Sequence, residues 1–123
     1  MTAGTVNAEL EPLIRLTIRD TTGAAHAVEA VVDTGFNGFL TLPPALIAAL
    51  GLPWLCRQDG QMADGSILPF DVHVATVDWH GESRKVEAEA TDAQPLLGMA
   101  LLEGSDLHIQ VVPGGAISVA RLP

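Results

Sequence analysis

Between Leu13 and Gly35 the chain spells out a hairpin that ends in a carboxylate. Leu13-Ile14-Arg15-Leu16-Thr17-Ile18-Arg19 alternates, with Ile14, Leu16 and Ile18 on one side and Arg15, Thr17 and Arg19 on the other. That period of two predicts a half-buried strand. Asp20-Thr21-Thr22-Gly23 supplies a turn. A second strand is expected from about His26 to Val32, with the apolar run Ala30-Val31-Val32 at its end. Asp33 then stands where a buried strand breaks into a loop. An acid there is costly to ionise unless something solvates it, so the position suits chemistry. Thr34 adds a donor and an acceptor, and Gly35 and Gly38 let another chain or a substrate come close. Taken alone, Asp33-Thr34-Gly35 is also ordinary Asx-turn chemistry.

The rest of the chain reads as more short elements. Phe39 to Leu42 is a short strand, and Pro43-Pro44 followed by Ala45 to Leu50 and Gly51 carries the start and stop signals of one short helix. A polar strand is expected around Arg57 to Ala63. Asp64-Gly65 is a strong two-residue hairpin signal, and Ser66 begins the return strand. Phe70 to Trp79 alternates, His80-Gly81 is a turn, and Arg84 to Ala90 alternates again with Glu87 and Glu89 on a solvated face. Leu96-Leu97-Gly98 passes into a helical turn. Leu107 to Val112 and Ala116 to Leu122 are strands flanking a Pro113-Gly114-Gly115 turn. About eight short strands with regular turn signals predict an all-β barrel or sandwich. Residues 1–9 are expected to be a flexible arm and 10–123 a single domain.

The 123 residues fit one domain that buries roughly two thirds of its unfolded surface. A net charge of -9 and no basic run argue against nucleic acid or an anionic membrane as partner. No apolar stretch approaches a membrane span. The single Cys56 forms no disulfide within the chain and reads as a small buried hydrophobe. No signal peptide is visible at the N-terminus, which sets the expectation of a cytoplasmic protein.

Three features occur in order: an apolar strand ending in Asp33-Thr34-Gly35, a hairpin tipped by Asp64-Gly65 about thirty residues later, and Leu96-Leu97-Gly98 near the C-terminal end. This pattern resembles the retropepsin-like aspartic proteases, in particular the small bacterial single-domain members, over about Leu10 to Val119. The resemblance implies a closed acid-protease barrel with one or two short helices. It implies that Asp33 is the catalytic carboxylate and that Thr34 hydrogen-bonds across a dimer axis. Gly35 would let its loop approach the substrate. Met62, Ala63, Asp64, Gly65, Ser66 and Ile67 would form a flap over a peptide, and Leu97 and Gly98 would support the active-site loop from behind. Phe36 after the motif and Met99 after Gly98 fit the bacterial branch better than the viral one.

Such enzymes use two carboxylates, and this chain carries one such motif, since Asp20, Asp59 and Asp64 lack the following Thr/Ser-Gly. Activity therefore implies a homodimer that brings together one Asp33 from each copy, acting on a peptide or protein substrate without a cofactor. Carboxylates ~3 Å apart share one proton. The alternative is a retropepsin-like dimer that binds peptides or acts as a scaffold without efficient cleavage. A third reading is an unrelated small barrel in which Asp33-Thr34-Gly35 is only a turn.

Other candidates are weaker. His26, His73, His80 and His108 show no metal-ligand spacing and read as solvated strand residues, although His73 and His80 could meet across a turn. The loop after Asp33 lacks the alternating acids and terminal Glu of a calcium loop, and no phosphate-binding glycine loop is present. Trp54 and Trp79 read as core or dimer-interface residues.

Overall fold

The computed structural model describes residues 2–123. In chain order its elements are β1 (Thr2–Val6), β2 (Pro12–Arg19), β3 (Ala25–Val32), β4 (Leu40–Leu42), α1 (Pro44–Leu50), β5 (Trp54–Gln61), β6 (Ile67–Trp79), β7 (Glu82–Ala90), β8 (Leu96–Leu97), α2 (Met99–Leu102), β9 (Ser105–Ile109) and β10 (Ala116–Arg121). The chain is mostly β-sheet, as its alternation predicts, and among the described residues no helix is long and apolar enough to cross a membrane. All ten strands belong to one sheet in the order β5-β6-β7-β4-β8-β3-β2-β1-β10-β9, and β6 pairs with β2 as well. The pairings from β2 through β3, β8, β4, β7 and β6 therefore return to β2.

The expected hairpin is present. β2 and β3 pair antiparallel from Leu13↔Val31 to Arg19↔Ala25, and Ile14, Leu16 and Ile18 are buried. They join one cluster with Val28, Ala30, Val32, Leu40, Leu42, Ala75, Val77, Val86, Ala88, Leu97 and Leu101. On β6 the core-facing set is Ala75, Val77 and Trp79, whereas Val72 is buried outside that cluster. His80 (φ 52) and Gly81 (φ 78) turn β6 tightly into β7, so that Trp79 pairs with Glu82. Two positive φ values in a two-residue loop are the type I′ pattern, whose twist matches that of the strands. α1 ends on Gly51 (φ 66), and the Leu52 N–H returns to the Ile47 carbonyl at 3.1 Å.

Four expectations need correction. Thr2–Val6 is not a loose arm: it pairs with β10 on one side and β2 on the other, and Val6 is buried. Its small residues hide the strand, yet Gly4 serves the pairing, since a Cβ there would meet the Leu13 carbonyl oxygen at 2.0 Å. The Asp64-Gly65 turn is a three-residue loop closed by Met62 and Ser66. Gly65 donates to the Met62 carbonyl at 2.9 Å and adopts φ +87, which suits glycine. β9 starts at Ser105 and stops at Ile109, because Gln110 begins the next turn by accepting the Val112 N–H at 2.9 Å. Cys56 is half-buried on the edge strand β5, where one side of the strand lacks a neighbour.

Candidate active site

Asp33 follows β3 directly and is half-buried, while Thr34 and Gly35 beyond it are exposed. Its position is set by β8, which lies between β3 and β4, parallel to the first and antiparallel to the second. The Val31 N–H donates to the Pro95 carbonyl and the Asp33 N–H to the Leu97 carbonyl, both at 2.9 Å. Asp33 is thus pinned at its backbone just past the end of β3. Its Oδ1 accepts the Gly35 N–H at 2.9 Å, so the Asx turn that the tripeptide suggests is present as well.

The loop from Phe36 to Phe39 is held by the segment that begins at Gly98. Gly98 donates to the Phe39 carbonyl at 3.0 Å, Met99 to Phe36 at 2.8 Å, and Ala100 to Gly38 at 3.1 Å. Gly98 has no room for a side chain, because a Cβ would stand 2.2 Å from the Gly38 oxygen and 2.6 Å from the Phe36 ring. Leu97 is wholly buried, and the Leu96 N–H reaches the buried Thr41 hydroxyl at 3.0 Å. Asp33, Gly98 and Leu97, separated by more than sixty residues of sequence, therefore meet in one hydrogen-bonded unit.

Met62 to Ile67 form the tip of the β5–β6 hairpin, and every residue from Gln61 to Pro69 is exposed. Met62, Ile67 and Leu68 present apolar side chains to solvent there. Hydrogen bonds from the Ser66 hydroxyl and N–H hold the Asp64 carboxyl below its usual range and brace the turn.

Glu89 escaped the sequence reading. It was expected on a solvated face with Glu87, but it is half-buried, and its Oε2 lies 2.6 Å from where a Cβ on Gly38 would stand. It pairs with Thr41 across the parallel β4–β7 ladder, and the Phe36–Gly38 loop covers it. Burial, reinforced by Glu87, pushes its carboxyl above the usual carboxylate range. A raised acid destabilises the fold once pH exceeds that value, and the penalty is absent below the ordinary glutamate range, where both states are protonated. Glu89→Gln is expected to stabilise the chain at pH 7 by about 0.5 kcal/mol, discounted for partial exposure. The gain should vanish in urea titrations near pH 3.

The histidines do not converge. His73 Nδ1 lies 3.0 Å from the Leu52 carbonyl oxygen and His80 Nε2 lies 2.8 Å from the Ser105 hydroxyl, so neither is freely solvated. Among the described residues no cluster of His, Cys, Asp and Glu is placed to hold a metal. Trp79 is buried in the core, whereas Trp54 is exposed and donates its indole N–H to Asp71 at 3.1 Å. Three surface clefts of about 490, 510 and 310 Å3 lie on β9 and β10, around His80 and Arg121, and beside Asp20 and Leu52. None of these three includes Asp33. No family model, curated protein or solved structure matches the chain.

Proposed function

We propose that the chain is a retropepsin-like aspartic endopeptidase that works as a homodimer, with one Asp33 from each copy. The observation that carries this reading is the backbone clamp on Asp33: β8 threads between β3 and β4, and Leu97 and Gly98 hold the loop that presents the carboxylate. A plain turn needs no such support from a distant segment. The circuit of strand pairings from β2 back to β2 is what a closed acid-protease barrel would have. The exposed β5–β6 tip suits a flap, because Met62 and Ile67 offer apolar contacts to a peptide. A half-site also accounts for an Asp33 that stands outside the three clefts of the single chain.

The two carboxylates share one proton. The ionised member takes a proton from a bound water as that water attacks the peptide carbonyl carbon, and the protonated member donates to the carbonyl oxygen. Proton return to the leaving nitrogen then breaks the C–N bond. Thr34, exposed beside Asp33, would bond across the axis of such a dimer. A diverse peptide library is expected to give internal cleavages with a bell-shaped dependence on the acid side of neutrality. A profile flat from about pH 4 to pH 8 removes the shared proton. A folded dimer that cleaves nothing from about pH 3 to pH 8 leaves the peptide-binding module instead.

A further inference from the structure

We propose that the cleft where the β6–β7 turn, the start of β9 and the end of β10 meet binds a phosphate monoester whose body carries hydroxyl groups. Asp33 lines no part of this cleft, so the inference stands whatever that carboxylate does.

Residues directly opposite each other in a ladder point to the same face. Arg84 lies opposite Val77 and Glu82 opposite Trp79, both buried in the core. Arg84 and Glu82 therefore continue the inward row of Ala88 and Val86. β10 does the same: Arg121 follows Ile117 and Val119, and faces Ser105 across the ladder. Ser105 in turn follows Ile109 and Leu107, which pack on the core. Three strands thus end their apolar rows in polar residues where one more apolar residue would have extended the core.

The resulting cleft of about 510 Å3 has room for a phosphate group and the body that carries it. Its lining includes Trp79, His80, Glu82, Arg84, Glu103 and Arg121. Of the six Lys and Arg residues, only Arg19 and Arg84 are half-buried. Arg19 is held by Asp78 at 2.7 Å, whereas Arg84 has no acid or hydrogen-bond partner among the described residues. Its guanidinium stands 5.5 Å from the centroid of the Phe39 ring, which fixes its place without using its N–H groups. None of its nitrogens is sealed from solvent. Arg121 meets Glu82 at 3.5 Å, a looser contact than that of Arg19.

His80 senses both arginines. Its φ of 52 is left-handed, a conformation that such a turn takes more readily with Asn or Gly. A strained residue kept at a turn points to a use for its side chain. The ring lies 4.9 Å from that of Trp79, and its Nε2 is 2.8 Å from the Ser105 hydroxyl. Burial, then the charges of Arg121 and Arg84, hold the imidazole below its usual range, and Glu82 only partly opposes them. The local field is positive in a chain of net charge -9. Two guanidinium forks, an imidazole and a hydroxyl are donors suited to a tetrahedral oxyanion. Glu82 and Glu103 are acceptors in the same cleft, which hydroxyl groups on the ligand would satisfy. Glu82 also competes with the phosphate for Arg121.

Calorimetry and NMR on the full chain, with glycerol 3-phosphate as probe, test this. The probe is expected to bind, inorganic phosphate to bind about tenfold more weakly, and glycerol not to bind. Arg121→Gln and Arg84→Gln are each expected to weaken binding about tenfold. Arg121 is exposed, so its variant keeps the fold even where loss of the Arg84 contact with Phe39 does not. Lys85→Gln removes the same charge on the opposite, solvated face of β7 and should leave binding unchanged. Glu82→Gln should tighten it. The His80 pKa, followed through its ring protons, should rise in the complex, because the phosphate offsets the two arginines. Weakening by Lys85→Gln equal to that by Arg121→Gln would mean diffuse attraction and overturn the site. An absence of binding at about 10 mM probe, or saturation that leaves His80 unshifted, would overturn it too. Glycerate binding as tightly as glycerol 3-phosphate would overturn the phosphate assignment in favour of a carboxylate.

Discussion

Asp33→Asn is expected to lower peptide cleavage by about 10²–10⁴-fold while leaving the fold and the dimer in place. The asparagine oxygen can still accept the Gly35 N–H, a bond that now measures 2.9 Å, and the Asp33 N–H bond to Leu97 belongs to the backbone. What disappears is a group that shuttles a proton. The sharper form of the experiment uses mixtures. If one carboxylate comes from each copy, a mixed dimer holds a single Asp33 and is inactive. Adding the variant to an equal amount of wild type, with exchange of subunits, should leave about a quarter of the dimers active. Activity then follows the square of the wild-type fraction. A linear fall would mean that each chain works alone, and the two-carboxylate mechanism would be lost. Turnover unchanged by Asp33→Asn would return the tripeptide to the turn it also is.

The elements around Asp33 were legible wherever local pattern governs them. Ile14, Leu16 and Ile18 alternate because one face of β2 is in the core, and the hairpin that delivers Asp33 follows from them. His80-Gly81 was legible because few dipeptides tolerate two positive φ values. Contacts set by tertiary structure were hidden. Thr2–Val6 has no strong alternation and is a strand because β2 and β10 pair with it on either side. Val72 and Ala75 are both buried although they lie on opposite faces of β6, Ala75 within the main cluster and Val72 outside it. Glu89 looked like half of a solvated pair, and only the fold of the Phe36–Gly38 loop covers it. Within the site, Asp33, Thr34 and Gly35 could be singled out as a motif. Their support could be inferred only through resemblance, since no local rule brings Leu97 to the Asp33 N–H.

The support itself is open to a direct test at Gly98. Its φ of -101° and ψ of 177° are extended values that any residue adopts, so Gly98→Ala carries no backbone strain. The cost is steric. The new Cβ would meet the Gly38 oxygen at 2.2 Å and the Phe36 oxygen at 2.9 Å, and both are backbone atoms that cannot swing aside like a side chain. Relief requires the Phe36–Gly38 loop to retreat from the segment after Gly98. That movement stretches the Met99 bond to Phe36, now 2.8 Å, and the Ala100 bond to Gly38, now 3.1 Å. Overpacking together with two weakened hydrogen bonds is expected to cost about 3 kcal/mol, read as a lower urea midpoint. Gly65→Ala supplies the contrast: nothing lies within 4 Å of its Cβ, and the penalty is only that of φ +87, about 1 kcal/mol. Because the retreating loop is continuous with Asp33, Gly98→Ala should also reduce cleavage in the fraction that remains folded. A loss of stability no larger than that of Gly65→Ala would mean that the loop moves freely, and that β8 merely neighbours the Asp33 loop instead of fixing it.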